Sequence, residues 1–188
     1  MVWPALHKTL RGLTGLTRVL LITGDWRGVP AGTTAAPDLE ETAADVVHRL
    51  QDTTLISIAV LAGPVHSAPL RLALACTLRV AAPDAVLLVD DIQAGTALHA
   101  DVAGALRQSL GFGAALELAL TGRPLSAAEA IARGIALPGT ADDARNLAAA
   151  ILAAPDGAVR ETVATLRSGA PERAAAEHRG PRGMLHPR

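Results

Sequence analysis

Cysteine is almost missing from this chain: Cys76 stands alone among 188 residues, so no internal disulfide can form. Its place in an apolar stretch that reads as a buried helix fits packing rather than reactivity. Net charge is nearly absent as well. Seventeen basic residues against 18 acidic ones leave −1 at neutral pH, which provides no electrostatic footprint for nucleic acid or an anionic membrane surface. Long hydrophobic runs are lacking too. The mean hydropathy of +0.31 is supplied largely by alanine, and no segment approaches the roughly 20 apolar residues that span a bilayer. The sequence has no Cys/His metal spacing, no Walker loop and no glycine-rich dinucleotide fingerprint, so no metal or nicotinamide cofactor is implied. No signal-peptide pattern opens the chain, which makes a soluble, cytoplasmic protein the expectation. The length suits one domain with a real core.

The chain is organised around the stretch from Leu55 to Ile92. Leu55 to Leu61 is rich in Ile, Leu and Val, as a buried strand is, and stops at the turn signal Gly63-Pro64. A helix is expected to start near Pro69, with Leu70, Leu72, Ala73, Leu74, Cys76 and Thr77 giving it apolar density, and Leu78 to Val80 closing it before Pro83-Asp84. Val86 to Val89 reads as the next buried strand. Its end puts Asp90 and Asp91 where a strand meets a loop, a common address for catalytic groups on open α/β sheets.

Around this centre the pattern predicts a helix over Leu6–Leu16, a strand over Arg18–Thr23, a Gly/Pro/Thr-rich loop over Asp25–Pro37 and a helix over Leu39–Leu50. Asp38, Glu40 and Glu41 suit that helix's dipole. A loop over Gln93–Asp101 leads to helices over Ala103–Leu110 and Ala114–Leu120, separated by Gly111-Phe112-Gly113. Ser126 and Glu129 read as a capping box for a helix over Ala127–Arg133. Ala141–Ala153 and Ala158–Leu166 form two more helices about the turn Pro155-Asp156-Gly157. The domain is expected to end at residue 167, with Ser168–Arg188 as a flexible tail that has little apolar surface to bury.

Three segments resemble the crotonase superfamily, the enoyl-CoA hydratases and isomerases. Gly63 to Val80 is similar to the family's glycine turn and buried helix, and Arg18 to Thr33 (RVLLITGDWRGVPAGT) to its strand and Ala-Gly-Thr oxyanion loop. Gly111 to Ile135 (GFGAALELALTGRPLSAAEAIARGI) resembles its Leu-Thr-Gly signature without a gap. The resemblance implies an α/β fold: a ββα spiral with a mostly parallel sheet and outer helices, here without the usual N-terminal hairpin. It also implies an acyl thioester ligand, with coenzyme A as carrier rather than cofactor, and a homo-oligomer based on a trimer.

What the resemblance implies for the site follows residue by residue. Two backbone N–H groups, of Thr33 and Ala68, would hold the thioester oxygen where enolate charge develops. The family's three turn glycines are Ser67-Ala68-Pro69 here. Of the two glutamates that handle water in hydratases, the first falls at Arg71, which stays protonated and has no acceptor, so ordinary water addition is not expected. The second falls at Asp91, the candidate proton-transfer group, and an Asp91–Arg71 ion pair in place of the glutamate pair is the structural alternative. His99, or Asp101 two residues on, occupies the place of a third acid found in some subfamilies. His66 adjoins the oxyanion turn, but no third group completes a nucleophilic triad with Ser67. Two functions remain open from the sequence: a divergent isomerase- or lyase-type enzyme acting on a CoA- or carrier-bound thioester, or a catalytically degenerate auxiliary or binding subunit of the same fold.

Overall fold

The computed structural model describes residues 2–27, 37–52 and 54–168. Helix α1 (Val2–Gly12) precedes β1 (Val19–Ile22), and α2 (Pro37–Leu50) precedes β2 (Ile56–Leu61). All six residues of β2 are buried, which requires apolar layers on both of its faces. Ala59 and Leu61 face the larger core, against Val46 and Leu50 of α2 and Leu72 of the helix that follows. Ile56, Ile58 and Val60 face a second core built with Ala144 and Ala148. The two cores therefore divide along the strand's two-residue period.

After β2 the chain makes β3 (Pro64–Val65), helix α3 (Ser67–Ala75), β4 (Leu78–Ala81) and β5 (Val86–Leu87). Then come α4 (Ala100–Leu110), α5 (Phe112–Thr121), β6 (Leu125–Ser126), α6 (Ala127–Ala132), β7 (Leu137–Pro138), α7 (Ala141–Ala153) and α8 (Asp156–Ser168). One sheet has the order β1-β2-β4-β7 and is parallel throughout, and a smaller one has the order β3-β5-β6. Helices pack outside, giving the α/β spiral that the motifs imply. No helix among the described residues is long and apolar enough to cross a membrane.

Helix α1 lies earlier than the expected Leu6–Leu16, and α8 takes in Asp156 and Gly157 of the expected turn; two further expectations need correction. Leu78–Val80 is not the end of α3 but most of β4, paired with Ile58–Leu61 in parallel register. The helix stops because Arg79 folds back under it: its Nη1 donates to the Cys76 carbonyl at 2.8 Å, while its Nε donates to Ile135 O at 2.5 Å. A cation on the last carbonyls closes the helix where the dipole favours one. Ser57 and Thr77 complete the switch, with the Thr77 N–H donating to Ser57 Oγ at 2.9 Å. The capping box at α6 is also only half formed. Ser126 Oγ accepts from the Glu129 N–H at 3.2 Å, but the Glu129 carboxylate pairs with Arg123 and Arg133.

Candidate active site

The site is built around the N-terminus of α3. Strands β3 and β5 are parallel, with Val65 opposite Leu87, so both chains leave the sheet at one end, delivering His66-Ser67 and Asp90-Asp91 to the same place. Trp26 fixes the first pair from below. Its indole N–H donates to Val60 O at 2.6 Å, and its carbonyl accepts the His66 N–H at 3.3 Å. A turn fixes the second pair: the Thr96 N–H donates to Asp91 O at 2.9 Å, and Gly95 takes the positive φ of 77° that the turn needs.

There the side chains form a chain of contacts. His66 Nδ1 is 3.0 Å from Asp90 Oδ2, and Ser67 Oγ is 2.5 Å from Asp90 Oδ1 and 2.8 Å from Asp91 Oδ2. Burial pushes the Asp90 carboxyl up, but the hydrogen bonds from Ser67 and His66 outweigh it and hold this group below the usual carboxylate range. Both carboxylates lie at the positive end of α3, which favours negative charge. Asp91 is buried at 7% exposure and is paired with no arginine or lysine among the described residues.

One turn further along the same face, Arg71 makes a second cluster. Its Nε donates to Asp101 Oδ2 at 2.7 Å and its Nη1 to Glu40 Oε1 at 2.7 Å, and its guanidinium lies 5.9 Å from the centre of the Trp3 ring. Desolvation works against the Arg71 charge, but the two carboxylates more than restore it. The expected Asp91–Arg71 ion pair is thus replaced by Asp101–Arg71–Glu40. Two acids close on the cation from α2 and α4, so its charge is more than matched.

The remaining sequence candidates fall around these clusters. Ala68 is the second residue of α3, where a backbone N–H has no partner inside the helix. Thr33 lies outside the described residues. Asp101 joins the Arg71 cluster, whereas His99, the residue before α4, is half exposed and 3.9 Å from Glu40. Neither His99 nor Asp101 is hydrogen-bonded to Asp91 among the described residues. Sequence reading missed three contributors: Asp90 as the partner of both His66 and Ser67, Glu40 as a ligand of Arg71, and Trp26 as the anchor of the α3 entry. Glu40 carried only a helix-dipole signal and Trp26 only a loop context.

A large groove of about 1200 Å³ lies elsewhere, between the end of α3, α4 and the α7–α8 hairpin, walled by residues such as Leu74, Leu78, Ile151, Val163 and Leu166. Asp101 reaches its margin, while Ser67, Ala68 and Asp91 do not line it.

The family model for enoyl-CoA hydratase/isomerase matches residues 13–185, and the chain belongs to that family. No curated protein matches it. Among solved structures it is similar to a candidate enoyl-CoA hydratase from Thermobifida fusca YX in complex with acetoacetyl-CoA, at 26% identity over 92% of this chain and 78% of that one, with a TM-score of 0.74. It is also similar to a monofunctional enoyl-CoA isomerase from M. smegmatis, at 27% identity over 89% and 79% of the two chains, with a TM-score of 0.71. An enoyl-CoA hydratase from Bacillus anthracis shares the fold, at 22% identity and a TM-score of 0.76, over 89% of this chain and 72% of that one.

Proposed function

We propose that the protein is an isomerase- or lyase-type enzyme acting on an acyl thioester, carried by coenzyme A or a carrier protein, and that it is not an ordinary hydratase. The observation that carries this reading is Asp91: a buried carboxylate that has no arginine or lysine partner among the described residues and lies 2.8 Å from Ser67 Oγ beside the N-terminus of α3. A thioester carbonyl directed at the Ala68 N–H would gain charge there as Asp91 takes a proton from the adjacent carbon. In that step the C–H bond breaks, an O–H bond forms on Asp91, and the electron pair moves to the thioester oxygen. Returning the proton to a different carbon isomerises the acyl group; expelling a leaving group eliminates it. Arg71 takes no part in this transfer, since it has no acceptor and its charge is more than matched by Glu40 and Asp101. Binding of acetoacetyl-CoA by a similar protein supports the ligand class. Self-association belongs to the same proposal, supported by Phe112, Leu116 and Leu120, which recur every four residues on α5 and are exposed.

A second reading, a binding or auxiliary subunit, is favoured by one observation: the place of the family's first glutamate is filled by a part-buried ion cluster tied to three other helices. Isothermal titration with acetyl-, crotonyl- and an aryl-acyl-CoA tests the ligand class, and deuterium exchange at the α-carbon of a thioester that binds separates an enzyme from a binding subunit. Micromolar binding supports the thioester class, and no heat with any thioester, from a folded sample, sinks the enzyme.

A further inference from the structure

Ser67 Oγ lies within hydrogen-bond distance of two carboxyl oxygens, 2.5 Å from Asp90 Oδ1 and 2.8 Å from Asp91 Oδ2. A serine hydroxyl has one hydrogen and two lone pairs. With both acids ionised, one of the two contacts contains no hydrogen. It becomes a hydrogen bond when a carboxyl brings a proton of its own. Asp90 is the acid held in its ionised form, by Ser67 and His66 together against the effect of burial. The shorter contact, 2.5 Å against 2.8 Å, takes the Ser67 hydrogen to Asp90, and the lone pairs of Oγ face Asp91. This arrangement is completed by a protonated Asp91, the state reached once Asp91 has taken a proton from a substrate.

The chain also leads outward. Asp91 is 7% exposed, whereas the Asp90 side chain is 28% exposed and that of His66 30%. Among the described residues, no other charged side chain is hydrogen-bonded to Asp90 or Asp91. Glu40 on α2 and Asp101 on α4 close on Arg71, and His99 approaches Glu40.

We propose that Ser67 and Asp90 form a proton relay between buried Asp91 and solvent, with His66 orienting Asp90, so that the proton removed from substrate exchanges with water during turnover. The Asp91 O–H bond breaks as its hydrogen passes to Ser67 Oγ, and the original Ser67 hydrogen passes to Asp90 Oδ1. Asp90 then releases a proton to water, which returns Asp91 and Asp90 to carboxylates and Ser67 to a neutral hydroxyl. This inference rests on the reading of Asp91 as the proton-transfer group. Ser67 and Asp90 are positioning residues in it, since they act through Asp91.

The test has two arms. In D2O, with acetyl-CoA as probe, Ser67→Ala is expected to slow deuterium entry at the α-carbon at least about tenfold while acetyl-CoA affinity is retained, and Ser67→Thr, which keeps the hydroxyl, to restore it. Asp90→Asn replaces Ser67→Ala if that variant does not fold. Exchange in folded Ser67→Ala equal to the parent overturns the relay and leaves Asp91 in its role. The second arm needs no substrate. Asp91→Asn is expected to move the His66 imidazole nitrogen resonances in the Ser67 protein but not in Ser67→Ala. Equal movement in both backgrounds overturns the relay, even in a protein that exchanges no thioester proton. Absence of exchange in a parent that binds acetyl-CoA sinks the enzymatic reading and the turnover role of the relay with it, and the resonance pattern then reports only whether Ser67 couples Asp91 to Asp90 and His66.

Discussion

Ser67 and Arg71 occupy one face of α3 a single turn apart, yet they lead into polar clusters of opposite design. Around Arg71 one cation is held by two acids and an indole, drawn from α1, α2 and α4. Around Ser67 two acids share one hydroxyl, Asp90 also meets the His66 imidazole, and no arginine among the described residues pairs with either acid. The first arrangement satisfies its charge and ties four helices together. The second leaves negative charge concentrated at a helix N-terminus, where it favours proton chemistry over cohesion. Where the resemblance places the family's first glutamate, Arg71 is a structural tie; where it places the second, Asp91 lies beside a hydroxyl and a second carboxylate.

Breaking the Arg71 cluster should produce the largest change in stability. Arg71→Ala leaves Asp101 without its cation, and we expect a loss of about 2–4 kcal/mol in urea unfolding, below the full range for a broken buried pair because Glu40 is half exposed. A loss under 0.5 kcal/mol, by order of magnitude the value of an exposed pair, would remove the contrast between the clusters. Ser57→Ala provides a control at the far end of α3, since it strands the part-buried Thr77 N–H where helix turns to strand. It should cost about 1–3 kcal/mol in the same assay.

Asp90→Asn should have a smaller, pH-dependent effect. The folded state holds this carboxyl below the usual range, so its contribution is present above the unfolded value of about 3.9 and is lost as pH falls through the folded value. The stability gap between parent and variant, measured by urea unfolding from pH 7 downward, should therefore be full at neutrality and narrow below about pH 4. A gap that widens in acid would contradict the assigned hydrogen bonds. The smallest effect concerns Cys76. Burial pushes its thiol up to about 12, and native protein should react with a thiol reagent only as fast as it unfolds.

How much of this was legible in sequence depended on the separation of the partners. Helix α7 was read with its observed bounds, because Ala141–Ala153 is periodic and ends before a proline turn. The place of Asp91 in the loop after β5 was legible from the expected strand–loop junction. Strands β3, β6 and β7 are two residues long, too short to display a period. The beginning of β4 was hidden because Leu78-Arg79-Val80 continues the apolar density of α3, and the stop signal is a side chain that bonds backwards to Cys76 O. The partners of Arg71 were out of reach for a similar reason: Glu40 and Asp101 lie 31 and 30 residues away, and only the packing of α2 and α4 brings them in.

The account rests on Asp91 moving a proton of a bound thioester, and deuterium incorporation at the α-carbon of acetyl-CoA in D2O, followed by proton NMR for the parent and Asp91→Asn, tests that most directly. The account predicts exchange in the parent and a fall of about 10²–10⁴-fold in the variant, with its urea midpoint close to the parent's. Exchange at equal rates in both proteins, or none in a parent that binds the thioester, would contradict it.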